Sequence, residues 1–160
     1  MLKYRKMELA DDQAVAGIIR RNLENLHLNI PGTAYFDPQL DHLSAYYNDG
    51  TKRRAYFVAL DEAGQVTGGV GIAEFEGIPD CAEIRKLYLA DSAKGKGYGR
   101  ELMGIAEHWA GEAGYQRLYL ETHSNLRDAM RLYEKLGFRQ IERPETVRHG
   151  TMDHFYLKEL

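Results

Sequence analysis

Cysteine is nearly missing from this chain: Cys81 is the only one in 160 residues. An intrachain disulfide is therefore excluded, which fits a reducing compartment. No His sits beside Cys81 in a recognisable nucleophile motif, so it reads as a small strand residue rather than a catalytic thiol. An excess of one charge is missing too. The formal net charge is −3 and the pI ≈ 6.1, which gives no broad attraction to nucleic acid or to an anionic membrane. No apolar run approaches the length of a membrane span. The stretch Met1-Leu2-Lys3-Tyr4-Arg5-Lys6-Met7 is too polar for a signal peptide. The expected location is the cytoplasm. The six His residues are scattered, and no carboxylate or Cys completes a zinc set around His149 and His154. No metal is expected. Linkers, repeats and low-complexity segments are absent, so a single domain over residues 1–160 is expected.

What is present is a clear order of periodic segments. Leu2–Met7 alternates as a short strand. Asp11 or Asp12 is placed to cap a helix carrying Val15, Ile18, Ile19, Leu23 and Leu26 at helical spacing. Asn29–Thr33 is a loop by its breakers. Asp37-Pro38 predicts a capped short helix through Leu40, Leu43 and Tyr47, ended by Asn48-Asp49-Gly50. Ala55–Leu60, Val66–Phe75 and Cys81–Leu89 read as three strands joined by short turns, an antiparallel meander. Gly68, Gly69 and Gly71 mark a close approach or a bulge.

Gly99–Ala113 then has one apolar face: Leu102, Ile105, Ala106, Trp109 and Ala113. Gly114 stops it. Leu118–Leu120 is a strand reached by this helical crossover, so it should run parallel to Cys81–Leu89. A helix from Leu126 to Leu136, closed by Gly137, and strands at Phe138–Glu142 and Met152–Leu157 complete the chain. The fold class is α/β: a mixed antiparallel and parallel sheet with helices on both faces. Its central parallel pair should diverge into a ligand crevice.

The segment Lys94-Gly95-Lys96-Gly97-Tyr98-Gly99-Arg100 joins the Cys81–Leu89 strand to the long helix. A helix start leaves backbone N–H groups unpaired and adds positive dipole potential, which suits a phosphate. The turn is not a Walker A loop, and its G-x-G-x-G spacing is not the dinucleotide fingerprint. Taken alone, the glycines also fit a tight strand-to-helix corner with no ligand.

The wider stretch resembles the GCN5-related N-acetyltransferase (GNAT) superfamily. Lys94, Gly97 and Gly99 stand where its motif A has Arg/Gln-x-x-Gly-x-Gly/Ala, with Lys in the Arg/Gln position. Ala129-Met130-Arg131-Leu132-Tyr133 and Gly137-Phe138 resemble its motif B. The motif's Asn falls on Asn125, four residues before Ala129 rather than three, with Leu126 in the usual slot.

The resemblance implies a GNAT-like acyl-CoA N-acyltransferase fold and acetyl-CoA as cosubstrate. The pyrophosphate would lie on the N–H groups of Gly95, Lys96, Gly97, Tyr98, Gly99 and Arg100, beside Lys94. The pantetheine arm would run along Leu87, Tyr88 and Leu89, and Asn125 is the remaining candidate contact. An N–H near Leu89 would polarise the thioester carbonyl. The implied reaction is direct attack by a primary amine of a small molecule or protein, with no acyl-enzyme. Tyr133 takes the general-acid position. Glu83, at the start of the motif A strand, is the candidate general base, with Glu74, Glu121 and His123 in reserve. Tyr35, Phe36, Tyr46 and Tyr47 lie where the acceptor site would be built, and equally fit ordinary packing. The resemblance is compatible with a homodimer. Two other readings stay open: a catalytically inactive acyl-CoA-binding sensor module, and a dinucleotide-binding oxidoreductase.

Overall fold

Alternating apolar segments fold into seven strands, and the computed structural model describes them over residues 3–147 and 150–160. In chain order the elements are β1 (Lys3–Lys6), α1 (Asp12–Asn25), α2 (Leu43–Tyr47), β2 (Ala55–Leu60), β3 (Val66–Glu74) and β4 (Cys81–Leu89). There follow α3 (Tyr98–Glu112), β5 (Arg117–Thr122), α4 (Arg127–Lys135), β6 (Arg139–Ile141) and β7 (His154–Glu159). One sheet takes the order β1-β2-β3-β4-β5-β7-β6. Every neighbouring pair is antiparallel except β4 and β5, which run parallel as their helical crossover requires. Among the described residues no helix is long and apolar enough to cross a membrane.

The helices cover both faces. On one, Val15, Ile19 and Leu23 of α1 and Leu43 and Tyr47 of α2 bury against Tyr56, Val58 and Ala73. On the other, Leu102, Met103, Ala106 and Ala110 of α3 pack on Ala59, Val70, Ile72, Ala82, Ile84, Leu118 and Leu120, with Tyr133 of α4 in the same cluster. Burying each such Leu or Ile stabilises the fold by about 1.5–3 kcal/mol. Gly114 and Gly137 end α3 and α4 with positive φ of 93° and 91°, as their positions in the sequence suggest.

Two features of β4 shape everything beside it. First, its pairing with β5 covers only Cys81–Glu83 against Arg117–Tyr119, so the rest of the strand has a free edge on that side. Second, Gly69 pairs with Tyr88 but Gly71 with Arg85, which inserts one extra residue into β4. Lys86 absorbs it with φ 53°, the left-handed conformation of a bulge. The extra residue exchanges the faces of the strand. Before it, Ala82 and Ile84 join the α3 cluster; after it, Leu87 and Leu89 do. Gly71 opposite the bulge admits the Tyr47 side chain, because a Cβ there would lie 2.5 Å from the Tyr47 hydroxyl.

Three local expectations are corrected. Neither Asp11 nor Asp12 caps α1 through its side chain. Asp11 accepts from the Glu8 N–H and pairs with Arg5, while Asp12 accepts from Ser44 N (2.9 Å) and Ser44 Oγ (2.8 Å), tying α1 to α2. Asp37-Pro38 opens a turn, with Asp37 Oδ1 accepting from Gln39 N at 2.8 Å. The helix is interrupted at His42 (φ −137°, ψ 41°), leaving a 3-10 turn at Leu40–His42 and the short α2. The predicted strand at Leu2–Met7 is shorter, Lys3–Lys6, and Leu2 lies outside the described residues.

Candidate active site

The free edge of β4 carries one backbone group placed for a ligand. The Ala90 N–H donates to Thr67 O at 2.7 Å, which makes Gly68–Leu89 a non-hydrogen-bonded antiparallel pair. The N–H and C=O of Leu89 therefore face away from β3, into the gap that β5 leaves. Asn22 Nδ2 from α1 caps the Leu89 carbonyl at 2.9 Å. The Leu89 N–H is left as the donor on that edge.

The glycine turn lies immediately beyond. Gly95 and Gly97 take φ of 75° and 82°, and Gly97 is the residue from which α3 starts. A Cβ at either would meet nothing within 4 Å, so both glycines border open space. The Glu101 N–H is the first to bond back, to Gly97 O, so the N–H groups of Tyr98, Gly99 and Arg100 precede the helical ladder. A Cβ at Gly99 would lie 3.6 Å from Leu132 Cδ2 and 4.0 Å from Leu89 Cδ1, which joins the start of α3 to α4 and to the end of β4. Lys94 Nζ lies 3.0 Å from Asp91 Oδ1, an exposed pair beside the turn, and Lys96 is exposed. Lys96 and Tyr98 also line a cavity of ≈ 470 Å³ with Asp61, Thr67 and Ser92.

Tyr133 is buried on α4, with its ring 6.2 Å from that of Phe138 and 6.1 Å from that of Tyr156. Its hydroxyl makes no hydrogen bond among the described residues. Burial, then Tyr88 and Tyr156 nearby, push its pKa well above the ordinary phenol value, so the proton is retained. Leu87, Leu89 and Leu132 pack against the cluster that contains it.

On the opposite face of β4, Glu83 is 8% exposed and lines a cavity of ≈ 790 Å³ with Asp37, Phe75, Arg85, Lys86, Tyr88 and Glu121 among others. Burial raises its pKa and Glu121 adds to the rise; Arg85 opposes it, its Nε 2.8 Å from Glu83 Oε1. Arg85 Nη1 donates in turn to Tyr46 Oη at 2.9 Å. Lys86 Nζ pairs with Asp37 Oδ2 at 2.8 Å. Glu121 accepts from Tyr119 Oη at 2.8 Å.

The reserve bases are not equivalent. Glu121 shares the cavity with Glu83. Glu74 accepts from Arg54 Nε at 2.9 and 3.0 Å, and this pairing holds its carboxyl below the usual range, which makes it a weaker proton acceptor. His123 Nδ1 accepts from the Asn125 N–H at 3.1 Å in the loop before α4. Asn125 is exposed, one residue ahead of the α4 cap Leu126. Burial pushes the Cys81 thiol up to about 12, consistent with an inert strand residue. His154 Nδ1 sits 2.8 Å from Asp153 Oδ1, and His149 lies outside the described residues.

Tyr46, one of the four aromatic residues expected near the acceptor site, meets Arg85 there. Asn22 and Asp37 carry no such signal in the sequence, because they act through contacts with distant β4.

A parallel pair splayed at its carboxyl end, a glycine-rich helix start and a buried tyrosine border the same end of β4. The chain belongs to the acetyltransferase (GNAT) family, whose model matches residues 21–138. It is 37% identical over 140 residues to the uncharacterized N-acetyltransferase YjgM of Escherichia coli (strain K12), covering 86% of this chain and 82% of that one. Its fold matches an acetyltransferase of the GNAT family from Staphylococcus aureus Mu50 with a TM-score of 0.86 and 15% identity, covering 99% of both chains. It also matches a GNAT superfamily phosphinothricin acetyltransferase from Sinorhizobium meliloti, solved in complex with AcCoA. That match has a TM-score of 0.78 and 23% identity over 99% of this chain and 88% of the other. The chain is thus an N-acetyltransferase, which displaces the oxidoreductase reading.

Proposed function

We propose that this chain moves the acetyl group of acetyl-CoA to a primary amine by direct attack, with Glu83 as general base and Tyr133 as general acid. The observation that carries the reading is the Leu89 N–H on the unpaired edge of β4, next to the glycine-opened start of α3.

The residues present fit the cosubstrate. The N–H groups from Gly95 to Arg100 would take its pyrophosphate, with the cation of Lys94 alongside. The free edge at Leu87–Leu89 would take the pantetheine arm as an added strand. Asn125 would reach it from the start of α4. When bound, acetyl-CoA supplies the acetyl group activated as a thioester. The relative solved with AcCoA supports this assignment.

This chain's own groups then do three things. The Leu89 N–H donates to the carbonyl oxygen that gains charge as the amine attacks. Glu83, its carboxyl raised by burial, accepts a proton from the arriving ammonium, directly or through water. Tyr133, kept protonated in its apolar cluster on the other side of the strand, would donate from Oη to the CoA thiolate released as the thioester C–S bond breaks. Glu121 is the alternative base because it shares the cavity with Glu83.

The test is calorimetric titration with acetyl-CoA followed by thiol release with a panel of amines. Saturable binding with amine-dependent thiol release is expected. Binding without release from any amine would make the chain a sensor module, and absence of binding would sink the assignment of the glycine turn.

A further inference from the structure

The cavity around Glu83 holds charge of both signs in a fixed arrangement. Lys86 is committed to Asp37, its ammonium 2.8 Å from the carboxylate and its side chain only 10% exposed. Arg85 is different. Its Nε goes to Glu83 and its Nη1 to Tyr46 Oη, while Nη2 has no partner among the described residues. Arg85 lines the cavity, and among the described residues Nη2 is the nitrogen of its fork left unspent. Two loops meet beside this space: Thr151 Oγ1 donates to Pro31 O at 3.0 Å.

From this we propose that the acceptor is a small zwitterionic amine, an amino acid or an amine of similar size bearing another oxyanion. Its anionic group takes Nη2 of Arg85, and its ammonium lies between Glu83 and Glu121. The inference rests on the acetyltransfer reading above and adds the acceptor class to it. Charge balance favours it. Once Glu83 accepts the amine's proton, the Arg85 guanidinium, its side chain 32% exposed, loses its nearest counter-charge, which has a cost. A carboxylate on the same acceptor restores the balance, and a guanidinium N–H gives an oxyanion a charge-assisted hydrogen bond.

The experiment compares the common L-amino acids with the amines left after removal of their carboxyl group, and with matching aminophosphonates, by thiol release from acetyl-CoA on the full chain. An advantage of roughly 10- to 100-fold in kcat/KM for the oxyanion-bearing acceptors over the plain amines is expected. The phosphonate arm shows which oxyanion fits. Arg85→Gln also disturbs Glu83, so its readout is the ratio between the two acceptor types. That ratio should fall towards unity, and Arg85→Lys should recover only part of it. Plain amines reacting as fast as amino acids would overturn this inference and leave acetyltransfer intact. An unchanged ratio in Arg85→Gln would do the same, as would acetyl-CoA binding with no release from any arm. Failure of the wild-type chain to bind acetyl-CoA would instead overturn the underlying reading.

Discussion

Asn22 of α1 donates its Nδ2 to the carbonyl of Leu89 at 2.9 Å, across 67 residues of sequence, and to Ile18 O at 2.8 Å. A helix side chain thus satisfies a sheet-edge carbonyl that β5 does not reach. Leu89 then presents its N–H, and not its carbonyl, as the group seeking a partner. Asn22→Ala leaves that carbonyl without its donor, and stability should drop by about 1–3 kcal/mol in a urea titration. Acetyl-CoA affinity should fall in parallel. Asn22→Asp, which sets a carboxylate against a carbonyl, should be worse on both counts. Unchanged affinity in both variants would mean that the sheet alone orients Leu89.

Gly97 separates strain from charge. Its φ of 82° is unfavourable for any residue with a Cβ, yet a Cβ there meets nothing within 4 Å. Gly97→Ala should cost about 1–2 kcal/mol of stability with acetyl-CoA binding kept. Gly97→Glu carries the same strain and adds an anion where a phosphate is expected, so calorimetry should detect no binding. Equal affinity in the two variants would remove the helix start from the site.

Tyr133→Phe removes a hydroxyl that has no hydrogen-bond partner among the described residues. Thermal stability should barely change. Turnover should drop by about 100-fold or more if this hydroxyl is the acid, with acetyl-CoA affinity intact. Because burial raises the phenol pKa, wild-type activity should not decline as pH approaches the ordinary tyrosine value of about 10 through this group. Full turnover in the variant would relieve Tyr133 of the role.

Glu83 predicts the acid side of the pH profile. Burial raises its pKa, so the base form should appear, and kcat/KM should rise, above the ordinary Glu value of about 4.3. Glu83→Gln should abolish that rise. Glu121→Gln removes a charge that raises the Glu83 pKa and should move the rise to lower pH. Loss of the rise in Glu121→Gln, with the rise kept in Glu83→Gln, would make Glu121 the base.

The sheet was legible wherever punctuation was strong. The bounds of β2 and β4 coincide with their expected ranges because Asp61-Glu62-Ala63-Gly64 and Pro79-Asp80 leave the chain little choice. The crossover helix and the parallel β4–β5 pair followed from chain geometry. The bulge at Lys86 was not legible, because nothing about a lysine announces a positive φ; it follows from packing against β3. Period-2 reading would put Glu83, Arg85, Leu87 and Leu89 on one face, which the structure denies. Contacts such as Asn22–Leu89, Lys86–Asp37 and Arg85–Tyr46 join segments remote in sequence, where local pattern carries no information.

The bulge makes β4 two half-strands spliced out of phase. Upstream of Lys86, odd-numbered side chains meet the proposed acceptor; downstream, odd-numbered side chains meet the core and the backbone edge meets the proposed donor. Acceptor contacts and donor contacts are thereby given to separate halves of one strand. Substitutions at Arg85 should retune acceptor choice without shifting the register that positions Leu89. Deleting Lys86 would remove the extra residue and return β4 to plain alternation, with Glu83, Arg85 and Tyr88 still on the cavity face and Ile84, Leu87 and Leu89 still on the core face.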